Sequence, residues 1–188
     1  MSMTAMGIGL TQTAGKPDGS GGYIAIPLAE VAQYAQAPLG FTHLEPASAQ
    51  MSKPSTDASF QSGDREWVYV YNNTANDITE GTPCLRNDGP ANLQAALVSA
   101  TPAAAIHADA VVGVAQHTIQ ARFCGFILRS GAGKVDMDGA TTAYDGIGVS
   151  AGTAEEGDPV AATVAAFGYA VETTVGAGLV KAILSCKG

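Results

Sequence analysis

The chain has 188 residues, of which 14% are charged, and its 17 acidic and 9 basic side chains give a net charge of -8. This length can bury a substantial core, whereas so few scattered basic residues argue against a nucleic-acid partner, because phosphate binding takes clustered Lys and Arg. No stretch approaches about 18 uninterrupted apolar residues, and no basic residue precedes the short apolar run at the N-terminus, so we expect a soluble protein with no signal peptide and no membrane partner.

Residues 1–62 are rich in Gly, Ala, Ser, Gln and Pro and poor in periodic apolar residues, which predicts an extended arm that becomes ordered on a partner. The segment "YIAIPLAEVAQYAQAP" predicts a possible short helix near 27–37, with Pro27 in its first turn and an end before Pro38. The apolar residues of the arm that we expect to contact a partner are Tyr23, Ile24, Ile26, Leu28, Leu39 and Phe41.

Residues 63–188 are predicted to form one all-β domain of short strands. The segment "WVYVYN" places Trp67, Tyr69 and Tyr71 on one face of a strand and two valines on the other, which indicates a strand covered on both sides. Because both faces need cover, these three aromatic residues are also candidates for contact with another copy of the chain.

Turn signals recur at short intervals after this strand, among them "NNTAND", "RSGAGK", "DMDG", "YDG" and "VGAG". Many short strands with Gly-rich turns favour a small β-barrel or sandwich over alternating βαβ units. The Ala-rich stretch within the insertion at 87–109 contains Pro102, which prevents one continuous helix, so a strand followed by an excursion or a short helix is expected there.

An internal two-fold repeat is also predicted. "TEGTPCL" and "EEGDPVAAT" each carry Gly-x-Pro before an apolar run, and Gly113-Val114-Ala115 matches Gly168-Tyr169-Ala170. A glycine-led apolar strand follows in each case, from Gly125 and from Gly178. Two such units would build a small barrel with pseudo-symmetry, in which Gly-x-Pro marks the start of each half.

These motifs, G-x-P-[VC], then V-G-V-A, then a glycine-led strand and a C-terminal "GLVKAIL", resemble small bacteriophage head proteins of the decoration, or cement, type. The resemblance covers roughly residues 66 to 188. It implies a virion protein made in the host cytoplasm, which binds the outside of an assembled capsid as a dimer or trimer and stabilises contacts between major capsid protein subunits. The arm and the insertion have no counterpart in that pattern.

Motifs for chemistry are weak throughout the chain. "RSGAGKVD" lacks the first glycine and the Ser or Thr of a phosphate loop, because Leu128 and Val135 occupy those positions, so a hairpin turn is expected. "DMDG" lacks the later ligands of a calcium loop, and the three histidines share no metal-ligand spacing. Cys124 near His117 reads as a buried inert thiol, and all three cysteines are expected to be free. We therefore predict no enzyme, no catalytic residues, no metal and no cofactor.

Two alternatives remain open at this point. A receptor-binding or carbohydrate-binding β-module of a phage tail or fibre would need exposed aromatic residues near loop tips, for which Tyr144 and Trp67 are the candidates. A small hydrolase or metal-dependent enzyme would have to use the scattered His and Cys residues.

Overall fold

A computed structural model of the chain describes residues 31–46, 63–86, 108–160 and 165–188 in full, together with the backbone of three further strands. No α-helix occurs in these parts, which confirms the all-β class. The strands described are β1 (Gly15–Pro17), β2 (Tyr23–Ala25), β3 (Thr42–Glu45), β4 (Arg65–Asn72), β5 (Pro83–Arg86), β6 (Leu97–Ala100), β7 (Val111–Ala115), β8 (Cys124–Met137), β9 (Gly146–Val149), β10 (Gly157–Val160), β11 (Gly168–Ala170) and β12 (Gly178–Ser185).

Strands β3 to β12 form one sheet that closes on itself twice. The first ring runs β4–β8–β7–β5–β6 and returns to β4, with a parallel β4–β6 pair and antiparallel pairs elsewhere. The second ring runs β8–β12–β11–β9–β10 and returns to β8 through one parallel pair, Gly157 opposite Met137. The long strand β8 therefore belongs to both rings, with its N-terminal half in the first and its C-terminal half in the second.

The two rings repeat the same connectivity, because β4 to β8 pair with one another in the same pattern as β8 to β12. Strands β7 and β11 are thus equivalent, as are β8 and β12, in agreement with the predicted repeat. The predicted equivalence of the two Gly-x-Pro motifs is wrong. Pro83 opens β5, the second strand of its ring, whereas Pro159 lies inside β10, the third strand of the other, so neither motif begins a ring.

The hairpin turn predicted at "RSGAGK" is also wrong, since these residues lie in the middle of β8. Gly131 has φ 102°, and a Cβ at this position would lie 2.5 Å from the carbonyl oxygen of Asp64. The pairing register between β4 and β8 shifts at Glu66/Trp67. The shift leaves Arg129 as the extra residue of a bulge in β8, and Gly131, two residues further on, permits the close approach of the Asp64 and Arg65 backbone as the strand continues from one ring to the other.

Two apolar clusters form the core over the fully described residues. One joins the rings, with Trp67 and Phe126 from the first and Ala182 and Leu184 from the second. The other collects first-ring residues, including Val68 and others on β5, β7 and β8. Strand β4 is consequently buried on both faces, as predicted, and the cover comes from this chain.

Residues 31–46, assigned to the arm from the sequence, pack on the first ring. Ala32 and Cys124 exchange two backbone hydrogen bonds of 3.0 and 2.7 Å, and β3 pairs with β4. Val31 and Phe41 contact the two apolar clusters. The possible helix near 27–37 does not form over the described residues 31–37, because their backbone is engaged with the barrel.

Gly81 connects the rings where β7 ends. Its N–H donates to the Ala115 carbonyl at 2.8 Å, and its own carbonyl accepts from the Asp136 N–H of β8 at 3.0 Å. The residue has φ 90°, in the left-handed region that favours glycine. The first Gly-x-Pro motif thus supplies a junction between the rings, and the glycine is the residue that the junction needs.

Candidate partner-binding surface

The arm residues predicted to contact a partner are divided by the structure. Tyr23 and Ile24 lie in β2, which pairs with β1 as a separate two-stranded sheet. Ile26 and Leu28 lie outside the described residues. Leu39 is 38% exposed and stays available to a partner, whereas Phe41 is half-buried against the core of its own chain.

The aromatic residues of β4 do not form a surface for another copy. Trp67 and Tyr69 are buried, and the indole N–H of Trp67 donates to the buried carboxylate of Glu45 at 3.1 Å. The Tyr69 ring packs on Phe126 with 4.9 Å between ring centroids, and Tyr71 is half-buried on the same cluster. These three residues are therefore not proposed as contacts with another copy, because both faces of β4 are covered by side chains of the same chain.

Two loops, 138–145 and 171–177, meet at the end of the second ring where β8 stops. We call them the loop end. Two side chains project here from the described surface, since Tyr144 is 83% exposed and Val175 is fully exposed. An exposed large apolar residue on an ordered loop is informative, because loops carry contacts with partners more often than strands do.

Hydrogen bonds fix the loops that carry these two residues. The Thr174 N–H donates to the Thr141 carbonyl at 2.9 Å, and their hydroxyls lie 3.0 Å apart. The Ala143 N–H donates to the Thr173 hydroxyl at 3.0 Å, and the Tyr144 N–H donates to the Ala170 carbonyl at 2.8 Å. Both exposed side chains therefore stand on positions whose backbone is already ordered.

Tyr144 also has an unusual backbone conformation, with φ 75°. Left-handed backbone is uncommon for a bulky residue and costs free energy that the surrounding structure must supply. Glu155, in the neighbouring loop, has φ 71°. Arg122, outside the second ring, also has a positive φ of 66°, so this conformation is not confined to one part of the molecule.

Four carboxylates lie close to one another where β8 ends beside the start of β10. Burial raises the pKa of Asp136, Glu156 and Asp158, and the charge of Asp138 raises the pKa of Glu156 and Asp158 further. The Ser150 hydroxyl donates to the Asp138 carboxylate and accepts from the Gly152 and Thr153 N–H groups. Asp136, Asp138, Glu156 and Asp158 therefore form a negatively charged cluster between the end of β8 and the start of β10.

The thiols and His117, considered for nucleophilic chemistry, lie in apolar surroundings. All three cysteines are buried and free, and burial raises the pKa of Cys84 and Cys186 to about 12 each. Burial also raises the pKa of Cys124 and lowers that of His117. A protonated thiol is a poor nucleophile, so the geometry gives Cys124 no catalytic advantage.

Over the fully described ranges, no three His, Cys, Asp or Glu side chains are arranged to hold a metal ion. The described residues likewise contain no helix long and apolar enough to cross a membrane.

No protein-family model matches this chain, and no curated protein matches it. Among solved structures, the chain is similar to the head fiber gp8.5 N base of bacteriophage phi29, with 16% sequence identity and a TM-score of 0.46. The match spans 63% of this chain and 94% of that chain. A likeness of this degree does not carry an argument about what this chain does.

Proposed function

We propose that this chain is a non-enzymatic structural protein of a bacteriophage head, which binds the outside of the assembled capsid and stabilises contacts between major capsid protein subunits. The support is the sequence resemblance to decoration proteins together with one structural observation. That observation is the sheet of β1 and β2, which is separate from the sheet of the barrels.

The β1–β2 hairpin has three residues in each strand and pairs with no other strand that the structure describes. An isolated two-stranded hairpin is at best marginally stable in water. A hairpin of this size gains stability when a partner covers one of its faces or adds a strand to its edge. The arm before residue 31 is thus the best candidate for attachment to a capsid.

The proposed anchors follow from this division of the arm. Tyr23 and Ile24 lie in β2, opposite Pro17 and Lys16, and Ile26 and Leu28 remain predictions from the sequence. Leu39 supplies a further contact beside the barrel. Binding only to the assembled shell stabilises that shell by mass action, and many weak contacts on one particle add together.

The test removes residues 2–30 and measures binding to purified heads that lack this protein. The deletion stops before Val31 because residues 31–46 pack on the barrel, so the shortened protein keeps its core contacts. We expect binding to be lost while the thermal melt of the free protein is unchanged. Unchanged affinity in the shortened protein would refute the role of the arm.

A point variant sharpens this experiment. Tyr23→Ser with Ile24→Ser retains the backbone of β2 and should weaken binding to heads, whereas Thr42→Ser on the exposed face of β3 serves as the matched control and should not. Sedimentation of the free protein tests the proposed association into dimers or trimers. The aromatic residues of β4 are not the proposed contact for this association, because they pack within the chain.

A second candidate function is favoured by Tyr144. Of the two aromatic residues considered for a glycan-binding or receptor-binding module, Trp67 is buried and Tyr144 is 83% exposed on a hydrogen-bonded loop. An exposed tyrosine of this kind offers an apolar ring face to a sugar. A glycan-array signal that disappears in Tyr144→Asn would support this function in place of capsid stabilisation.

A further inference from the structure

We propose that the free edge of β3 is a dimerisation surface, at which the strand pairs antiparallel with β3 of a second copy. The proposal gives the self-association named above one contact and limits it to a dimer. It does not depend on binding to a capsid, so the free protein alone tests it. The observations that carry it are an unpaired strand edge, the residues that bound this edge and the balance of charge around it.

Strand β3 is the last strand of the ten-stranded sheet and pairs on one side only, with β4. Next to this pairing, the Tyr69 N–H donates to the Phe41 carbonyl at 2.8 Å. Hydrogen-bonded and non-hydrogen-bonded pairs alternate along an antiparallel ladder, so Thr42 and Leu44 form the non-hydrogen-bonded pairs with β4. Their N–H and C=O groups therefore point away from β4, and no further strand in the described parts of the chain pairs with them.

The free edge has a defined length. Gly40, two residues before Thr42, already donates its N–H to the Tyr69 carbonyl at 2.7 Å. Pro46, two residues after Leu44, has no N–H to donate. Two residues, each with one donor and one acceptor, are thus available to a further strand.

A second copy of the same edge matches this pattern in one register. With the two-fold axis beside His43, Thr42 of each copy lies opposite Leu44 of the other, and both donors and both acceptors of each edge are satisfied. An axis beside Leu44 would put Thr42 opposite Pro46 and leave the Thr42 carbonyl without a donor. An axis beside Thr42 would put Leu44 opposite Gly40, whose N–H is already engaged. The contact uses the same surface on both copies, so it closes as a dimer.

The side chains of this edge suit a contact between copies. Thr42 is exposed, and Leu44 is 47% exposed on the same face of β3. In the proposed register Leu44 of one copy lies beside Thr42 of the other, and the two leucines are diagonal neighbours, so both lose contact with water. Free edges of monomeric proteins are commonly protected by a lysine, whereas β3 contains no Lys or Arg.

The edge is also electrically balanced in a chain whose net charge is -8. Glu45, the one acidic residue of β3, is buried and lies 3.8 Å from Arg65. Glu66, opposite Leu44 on β4, lies 3.8 Å from Arg129. Two copies with the same negative charge repel each other, so a balanced surface is where they can approach most closely. This favours a second copy as the occupant, because a basic partner would find no excess negative charge here.

Sedimentation equilibrium and amide hydrogen exchange by NMR test the proposal on the free full-length protein, from micromolar to millimolar concentration. We expect a monomer in equilibrium with a dimer, and slower exchange of the Thr42 and Leu44 amides as the dimer forms. Leu44→Pro removes an outward N–H, which an edge strand tolerates, so the variant should keep the Tm of the parent. It should weaken dimerisation about tenfold to a hundredfold, because two of the four hydrogen bonds between the copies are lost.

Leu44→Val is the matched control, because it keeps both the N–H and an apolar side chain, and it should dimerise like the parent. A monomer at every concentration, a trimer, or a dimer that a folded Leu44→Pro variant leaves intact would overturn the proposal. If Leu44→Pro unfolds, the parent decides: exchange at Thr42 and Leu44 that slows with concentration supports the edge, and unchanged exchange overturns it. Slowing only when heads are added would assign the edge to a strand of another protein and would also overturn it. Attachment to heads is measured separately, so its failure leaves the dimer result unaffected.

Discussion

Replacing Gly81 by alanine puts a methyl group at the junction of the two rings. The new Cβ would lie 2.5 Å from Cδ2 of Leu179, 2.6 Å from the backbone nitrogen of Asp136 and 2.9 Å from its Cβ. The Leu179 side chain can rotate away, but the Asp136 nitrogen cannot withdraw without lengthening its hydrogen bond to Gly81. The substitution therefore acts on the contact that ties β8 to the end of the first ring.

The expected loss of stability has two parts. Left-handed backbone costs an alanine about 1–2 kcal/mol, and forcing a methyl group into packed surroundings costs about 1–3 kcal/mol more. Gly81→Ala should thus lower the free energy of unfolding by about 2–5 kcal/mol. Gly40→Ala is the control, because Gly40 has φ 82° with no atom within 4 Å of an added Cβ, and it should lose only the first part.

Urea and thermal unfolding followed by circular dichroism measure both variants. The difference between them, about 1–3 kcal/mol, corresponds to about 2–12 °C in Tm for a chain of this size. Unchanged m-values would show that the two-state comparison is valid. Equal destabilisation of the two variants would refute the junction, since it would mean that the space around Gly81 is open.

Three further predictions concern Asn72, two of the cysteines and Glu156. Asn72→Ala should lower the free energy of unfolding by about 1–3 kcal/mol, because the Asn72 amide donates to three backbone carbonyls. Asn76→Ala, on the exposed side of the same loop, is the control, and urea melts should show its free energy of unfolding within about 0.5 kcal/mol of the parent. The thiols of Cys84 and Cys186, each with a pKa of about 12, should react with a disulfide reagent at about pH 8 only as fast as the protein unfolds, and rapid labelling of the folded protein would contradict their burial. The pKa of Glu156 is raised in the folded protein, so folding is favoured by its protonated form below the unfolded pKa, and this contribution is lost as pH rises through the folded pKa. Glu156→Gln should therefore be more stable than the parent near pH 7 but equal to it near about pH 4. A difference in the free energy of unfolding that stayed constant with pH in urea melts would contradict the raised pKa.

Features set by neighbouring residues were predictable from the sequence. The alternation of β4 and the turns around "NNTAND", "YDG" and "VGAG" follow from side-chain periodicity and from residues that favour turns, and the structure confirms them. The strand in the Ala-rich insertion is also present, as β6, and it completes the first ring.

Features set by distant contacts were not predictable. A glycine that permits close approach of another backbone and a glycine that permits a turn look alike in sequence, so the sequence predicts a hairpin at Gly131, where β8 in fact continues. The residues from Val31 onward have helical spacing, but the backbone hydrogen bonds between Ala32 and Cys124 replace a helix there, across a separation that no local pattern reveals.

The candidate surface was harder to predict than the fold, because the sequence alone does not show whether an aromatic side chain is buried or exposed. Trp67 and Tyr144 were equal candidates for contact with a ligand, and one lies in the core while the other projects into solvent. The signals that could have separated them were the strand periodicity around Trp67 and the turn residues around Tyr144. Val175 gave no signal beyond its place in a Gly-rich loop.

The shared strand β8 also determines how the protein responds to force. Its 14 residues span roughly 46 Å, from the bridge to Ala32 at one end to the loop end at the other. Tension applied between residues 31–46 and the loop end would run along this strand. The hydrogen bonds to β4 and β12 lie across that direction, so they would be sheared together and not opened one after another. A pull applied at these two ends would therefore be carried through one continuous strand.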